Sequence, residues 1–362
     1  MNRRAAAAAA AAERLGWQAI WNGTGANRVV SPSSLTMSLA QAAEGARGAS
    51  LRSIDGALGF AGEDRGAAFG GLRQSLLQYD SPPAKPDAKN PPASPVVHQA
   101  SRVVVVDAEL KQPFIERIGH LYDAHPEQVG RRKAKANLDA WVKRHTAGLI
   151  RRSDVEAFGS PTAVLQDALL FAAQWRQPFV REVPLDFRGV RGKVDGVRGT
   201  LRVAYAVTPR WSAVRLPYDD NLAADVILPA EGLAPEALEV ADLAEATETL
   251  GEKAQPRPVQ VAMPTFELGA KTNLLTVLPE VDLTDLGGVF DGATVDLWVQ
   301  QAKLIVTARG TVGAALTEMS TRGAPPPIEP PSFIVDRPYV FRVLDTRTGW
   351  PLFLAVIADP AA

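Results

Sequence analysis

Side chains able to do covalent chemistry are scarce in this sequence. It has no cysteine, which excludes a thiolate nucleophile, a disulfide framework and zinc–thiolate sites. Its four histidines, His98, His120, His125 and His145, read as helical or loop residues with surface or packing roles rather than catalytic ones. No nucleophile elbow, phosphate loop, zincin motif or paired metal ligands occur, so neither an enzyme nor a metal or organic cofactor is expected. One segment stands out, from Ala308 to Ala324. Small residues fill its first half, and Pro325 to Pro331 closes it with five prolines in seven residues. Small residues cannot anchor in a core and the proline run cannot continue a sheet, so composition alone makes this a surface linker. Near its end lies Arg322-Gly323. A cationic side chain before an undemanding glycine makes a peptide bond that the acidic pocket of a trypsin-like protease accepts.

The elements around that segment are legible from periodicity. Ala5 to Ala12 superficially mimics a leader, but Glu13 and Arg14 close it at once, and alanine favours a helix reaching Trp17 and Trp21. Ser31 caps a helix with Pro32 at its first position, ending near Gly45. Helical patterns follow at 50–58, 66–78, 111–123 and 134–146, and later at 234–250 and 271–278. Residues 81–95, with six prolines, are a loop, and Arg102 to Val106 is strand-like. Thr162 to Trp175, Val259 to Leu268 and Gln300 to Thr307 read as strands. Trp211–Pro217 with Ala223–Pro229, and Tyr339–Leu344 with Pro351–Ile357, read as hairpins. Helices followed by strands, without repeats, point to an α+β fold with a mixed or antiparallel sheet.

Composition limits the partners. The 362 residues are 46% hydrophobic with a formal net charge of -1, enough for a large core and no reason to expect nucleic acid. No run approaches the roughly 18 apolar residues of a membrane span, so no membrane partner is expected. A cytoplasmic monomer is the expectation, with secretion left open. The basic cluster Arg131, Arg132, Lys133, Lys135, then Lys143, Arg144, Arg151 and Arg152, is taken as a solvated face. Arginine outnumbers lysine and alanine is abundant, a composition expected of a GC-rich bacterial genome.

Several separated segments resemble, in order, those of the serpin family of serine protease inhibitors. Asn27 to Leu35, with Ser31-Pro32-Ser33-Ser34, resembles the start of the family's second helix. Glu44-Gly45-Ala46-Arg47-Gly48 and Ile54 to Gly59 resemble its continuation. Asn137 to Val142 with Thr146-Ala147-Gly148, and Trp175-Arg176-Gln177-Pro178-Phe179, are similar to a later helix and to the end of a central strand. Gly310-Thr311 with Ala314-Ala315, and Asp336 to Phe341 with Pro351-Leu352-Phe353, are similar to the hinge and the closing strands. The resemblance implies one domain, 1–362, with three β-sheets, eight to nine helices and an exposed C-terminal reactive centre loop at about 308–331. A five-stranded central sheet would accept that loop as an extra strand. Serpin loop insertion is an established case of strand addition.

The implied function is suicide inhibition of a trypsin-like or subtilisin-like serine protease, held as a covalent acyl complex. The implied hinge is Gly310, Thr311, Val312, Gly313, Ala314 and Ala315. The implied sheet-opening region is Ser31, Ser34, Asp167, Trp175 and Gln300, with Gln300 expected to donate to Asp167. Counting from Gly310 as in the family gives Ala324-Pro325 as the scissile bond. A prolyl leaving group suits serine proteases poorly, so Arg322-Gly323 is favoured, and Met319-Ser320 leaves too short an insert. Alternation places Thr311, Gly313, Ala315, Thr317 and Met319 on one uncharged face over roughly 45 Å of extended chain. Val312, Gly313 and Leu316 depart from the family's pattern, which keeps a non-inhibitory serpin, a substrate or binding module, as the alternative.

Overall fold

The computed structural model describes residues 3–82, 84, 86–87, 89–153, 155, 161–295, 298–311 and 329–362. Eight α-helices lie among them: α1 (Arg3–Asn22), α2 (Pro32–Ala43), α3 (Gly48–Leu58), α4 (Gly62–Leu76), α5 (Gln112–Tyr122), α6 (Arg131–His145), α7 (Val240–Glu248) and α8 (Leu274–Val277). The alanine run builds α1, whose Ala8, Ala9, Ala11 and Ala12 are buried. Gly16 lets α1 approach α2, since a Cβ there would stand 2.5 Å from the Pro32 ring. Every residue of α2 is buried, and Ser31 caps it by accepting from the Ser34 amide.

Among the described residues the strands pair into three separate ladders or sheets, and the fold is α+β. The largest has nine strands. Its order is Arg28–Val30, Trp350–Ile357, Tyr339–Asp345, Leu222–Pro229, Trp211–Pro217, Lys193–Val207, Arg257–Pro264 and Ser332–Ile334, with Arg181–Asp186 also paired to Lys193–Val207. The hairpin strands Leu222–Pro229, Tyr339–Asp345 and Trp350–Ile357 are buried throughout. A chain of charges ties α1 to them. Arg342 donates to both Glu13 and Asp225, and Arg215 donates twice to Asp225, at 2.7 and 2.9 Å. Burial alone would raise the Asp225 carboxyl, but the two guanidiniums hold it below its ordinary value.

The central sheet departs from the five continuous strands that the resemblance implies. Among the described residues it forms two ladders that do not pair with each other. One is Phe266–Asn273 with Val299–Val306; the other runs Gly310–Thr311, Thr162–Gln174, Val96–Val106, Glu127–Val129. Helix α6 packs across the second ladder. There Arg102 donates to Gln166, Glu127 and Asn137 and lies over the Trp141 ring.

Several boundaries correct the sequence expectations. The strand expected from Arg102 begins at Val96, since it pairs with Thr162–Gln174 from end to end. Val259 to Leu268 is two strands that break at Thr265 and join different sheets. Residues 271–273 extend a strand before the short α8, and the helix expected over 234–250 is regular only at 240–248. His98 sits on a strand, not on a loop or helix. Its Nδ1 meets Asp80 at 2.6 Å, and its Nε2 meets His145 Nδ1 at 2.9 Å, with the rings only 5° from parallel. Ring centroids 5.2 Å apart match a linear N–H···N hydrogen bond, not two lone pairs converging on a metal.

Candidate functional site

The two ladders of the central sheet come together at one end, where the chain leaves Val299–Val306, turns, and starts back. The turn is Thr307 to Gly310: the Thr307 amide donates to the Gly310 carbonyl at 2.9 Å. Gly310 and Thr311 then pair antiparallel with Gln174 and Ala173. A strand continuing from Thr311 would run antiparallel to both flanking strands, the arrangement that satisfies its backbone on two sides. Glycine is required at the first position, because a Cβ on Gly310 would lie 2.3 Å from the Ala173 carbonyl oxygen. Thr311 is 1% exposed, and its hydroxyl shares a 2.5 Å hydrogen bond with the Tyr218 hydroxyl.

Trp175 holds the turn. Its indole N–H donates to the Thr307 carbonyl at 3.1 Å and its backbone N–H to the Arg309 carbonyl at 3.0 Å. Its ring stacks on Tyr218 at 4.6 Å, and Phe171 meets Tyr218 edge-on at 5.0 Å. The Phe179 amide adds a 2.9 Å bond to the Ala308 carbonyl. Burial raises the Tyr218 hydroxyl well above its ordinary value, so it stays protonated and serves Thr311 as a neutral partner. Tyr218 was not among the residues the sequence singled out. Its position just after the strand Trp211–Pro217, a hairpin end, was the only signal available.

Further down the sheet, the expected opening residues are neighbours but not in the expected pattern. Gln300 does not bond Asp167. Its side-chain carbonyl accepts from the Ser31 amide at 2.7 Å, and its NH2 donates to the Ser31 carbonyl at 2.9 Å. A carboxamide matches the N–H and C=O of one backbone residue, and the Ser31 groups before α2 supply both. Asp167 instead accepts from Ser101 across the ladder, and its second oxygen is buried with no hydrogen-bond partner among the described residues. Burial pushes this carboxyl up to about 7, against the pull of Ser101, Ser34 and Gln99. Asp167 and Val299 line one small cavity between the two ladders, beneath Trp141 of α6. The remaining hinge residues Val312, Gly313, Ala314 and Ala315, and Arg322, Gly323, Ala324 and Pro325, lie outside the described residues.

A turned-back segment beside a sheet in two halves is a distinctive arrangement, and comparison with known proteins says where it belongs. The family model for "Serpin (serine protease inhibitor)" matches residues 11–360. The chain belongs to the serpin family. This serpin is 27% identical over 361 residues to a serpin-like protein of Thermococcus kodakarensis, covering 93% of this chain and 82% of that one. It is likewise 27% identical over 373 residues to a serine protease inhibitor of Cyanea capillata, covering 93% of each. Among solved structures, native tengpin, a thermophilic serpin, superposes with a TM-score of 0.79 at 19% identity, covering 96% of this chain and 93% of that one. Human thyroxine-binding globulin with bound thyroxine superposes with a TM-score of 0.81 at 19% identity and 99% coverage of both, which is likeness of fold.

Proposed function

We propose that this serpin inhibits a serine protease as a suicide substrate cut at Arg322-Gly323. One observation carries the reading: Gly310 and Thr311 already form the first two rungs on the Thr162–Gln174 edge of the split central sheet, held by Trp175 and Tyr218. In the reaction the protease serine oxygen bonds to the Arg322 carbonyl carbon, and the Arg322–Gly323 amide breaks. The new Gly323 amine takes the proton that the serine gave up. The chain from Gly310 to Arg322 is then free at one end and extends the ladder. Each added hydrogen bond contributes about 0.5–1.5 kcal/mol net. A dozen would rival the roughly 5–15 kcal/mol stability of a typical domain. That is enough to pull an attached protease out of its working shape before water cleaves the ester.

Incubation with trypsin and with subtilisin tests this directly. Expected are a complex that survives SDS, release of the peptide Gly323–Ala362 by mass, and a clipped chain that melts above the intact one. Clipping with no complex would make this a substrate-like, non-inhibitory serpin. A peptide beginning at Pro325 would move the scissile bond to Ala324 and remove the trypsin-like assignment.

A further inference from the structure

On the nine-stranded sheet, Arg181 and Arg198 stand directly opposite each other on paired strands. Facing like charges are destabilising, and such pairs sit only about 5 Å apart. Arg202 shares this face, four residues along from Arg198 and roughly 13 Å away. All three are exposed, and among the described residues none of their side chains has an ion pair or hydrogen bond. The nearest carboxylates on these strands, Glu182 and Asp195, alternate to the other side. An exposed aliphatic side chain shares the face: Ile334, 44% exposed, lies in the Arg198 row through Ala262. Unpaired arginine beside an exposed aliphatic side chain is the composition of an interface.

The position of this face identifies what covers it. Ser332–Ile334 is the first strand after the proline run and forms the edge of the same sheet, with Gln260 bonded to the Pro331 carbonyl at 2.9 Å. Two strand spacings, about 10 Å, separate that edge from Arg198. Ten residues join Arg322 to Ser332, a reach of at most about 35 Å. A protease engaged at Arg322 is therefore tethered within its own diameter of the arginines. We propose that Arg181, Arg198 and Arg202 form a docking face for an acidic surface on the target protease, one that steers the encounter before the loop is cut. The proposal takes its partner from the function proposed above.

The test is the rate of loop cleavage, which needs docking but not trapping. Anionic and cationic trypsin share a specificity pocket and differ in surface charge. At low ionic strength the anionic form should clip or capture the wild-type chain about tenfold faster than the cationic form, and salt should erase the difference. R198E/R202E should lose that preference while its melting temperature and the partition between complex and clipped chain stay unchanged. Charge reversal at 198 also places a carboxylate opposite Arg181, so loss of fold is not expected; R198Q/R202Q, with a halfway effect, is the second variant. A salt-dependent preference without covalent complex keeps the docking face and overturns the inhibitory reading. Covalent complex formed at equal rates with both trypsins, or a preference that survives in R198E/R202E, overturns the docking face. No cleavage by either enzyme overturns both.

Discussion

Thr311→Arg is expected to turn the trap into a substrate. Thr311 is almost wholly buried in the rung opposite Ala173, and its hydroxyl is bonded to that of Tyr218. A guanidinium in that place would lose its water with no carboxylate to meet it, which costs several kcal/mol. The hinge would then stay out, and a delay of that size exceeds a tenfold change in rate, since 1.4 kcal/mol is one decade. Hydrolysis of the acyl-enzyme would win. The measurement is the number of inhibitor molecules consumed per protease molecule trapped, which should rise at least tenfold while the cleavage site stays the same. Thr311→Ser keeps the hydroxyl and should behave as wild type. Unchanged stoichiometry in T311R would mean that insertion does not begin at this rung.

The prediction depends on Tyr218, which shows where sequence reasoning stops. Trp175 was legible through the family resemblance, as the tryptophan of Trp175-Arg176-Gln177-Pro178-Phe179 after a central strand. Tyr218 was not, because a tyrosine at a hairpin end has many ordinary uses, and only the fold brings it against Thr311. The alanine helix α1 and the two hairpins were visible because their patterns report burial, which is a local property of the chain. The strand Lys193–Val207 was missed: Gly196 and Gly199 interrupt an otherwise alternating run, and its exposed arginines weaken the signal. Gly196 belongs there because a Cβ would meet the Leu185 side chain at 2.3 Å.

The misplaced Gln300–Asp167 bond has a similar cause. The family resemblance puts both residues at the opening centre of the sheet, but does not say which groups they meet there. Gln300 pairs instead with Ser31, accepting from its amide and donating to its carbonyl, which also accepts from the Leu35 amide. Asp167 is left with Ser101 and, among the described residues, with one oxygen that has no hydrogen-bond partner. A buried acceptor without a donor is costly when charged and much less so when protonated.

Asp167→Asn should therefore flatten the dependence of stability on pH. The folded carboxyl titrates near 7 because of burial, against an ordinary value of 3.8. Between those values the folded chain holds a proton that the unfolded chain has lost, so raising the pH through this window removes stability at up to about 1.4 kcal/mol per pH unit. Below about 4 both states are protonated and the effect is absent; above about 7 the loss is complete. The groups around Asp167 are the hydroxyls of Ser101 on the neighbouring strand and Ser34 on α2, the Gln99 amide, and the more distant charge of Arg73 on α4. None is a close counter-ion. Because Asp167 is only half-buried, solvent reduces the effect, and about 1–3 kcal/mol is expected. Denaturant unfolding of wild type and D167N from pH 4.5 to 8.5 should give curves that converge at the acid end, with the variant more stable at the alkaline end. Parallel curves would show that Asp167 is ionised in the fold at every pH, with water or a moved side chain supplying the donor that its free oxygen lacks.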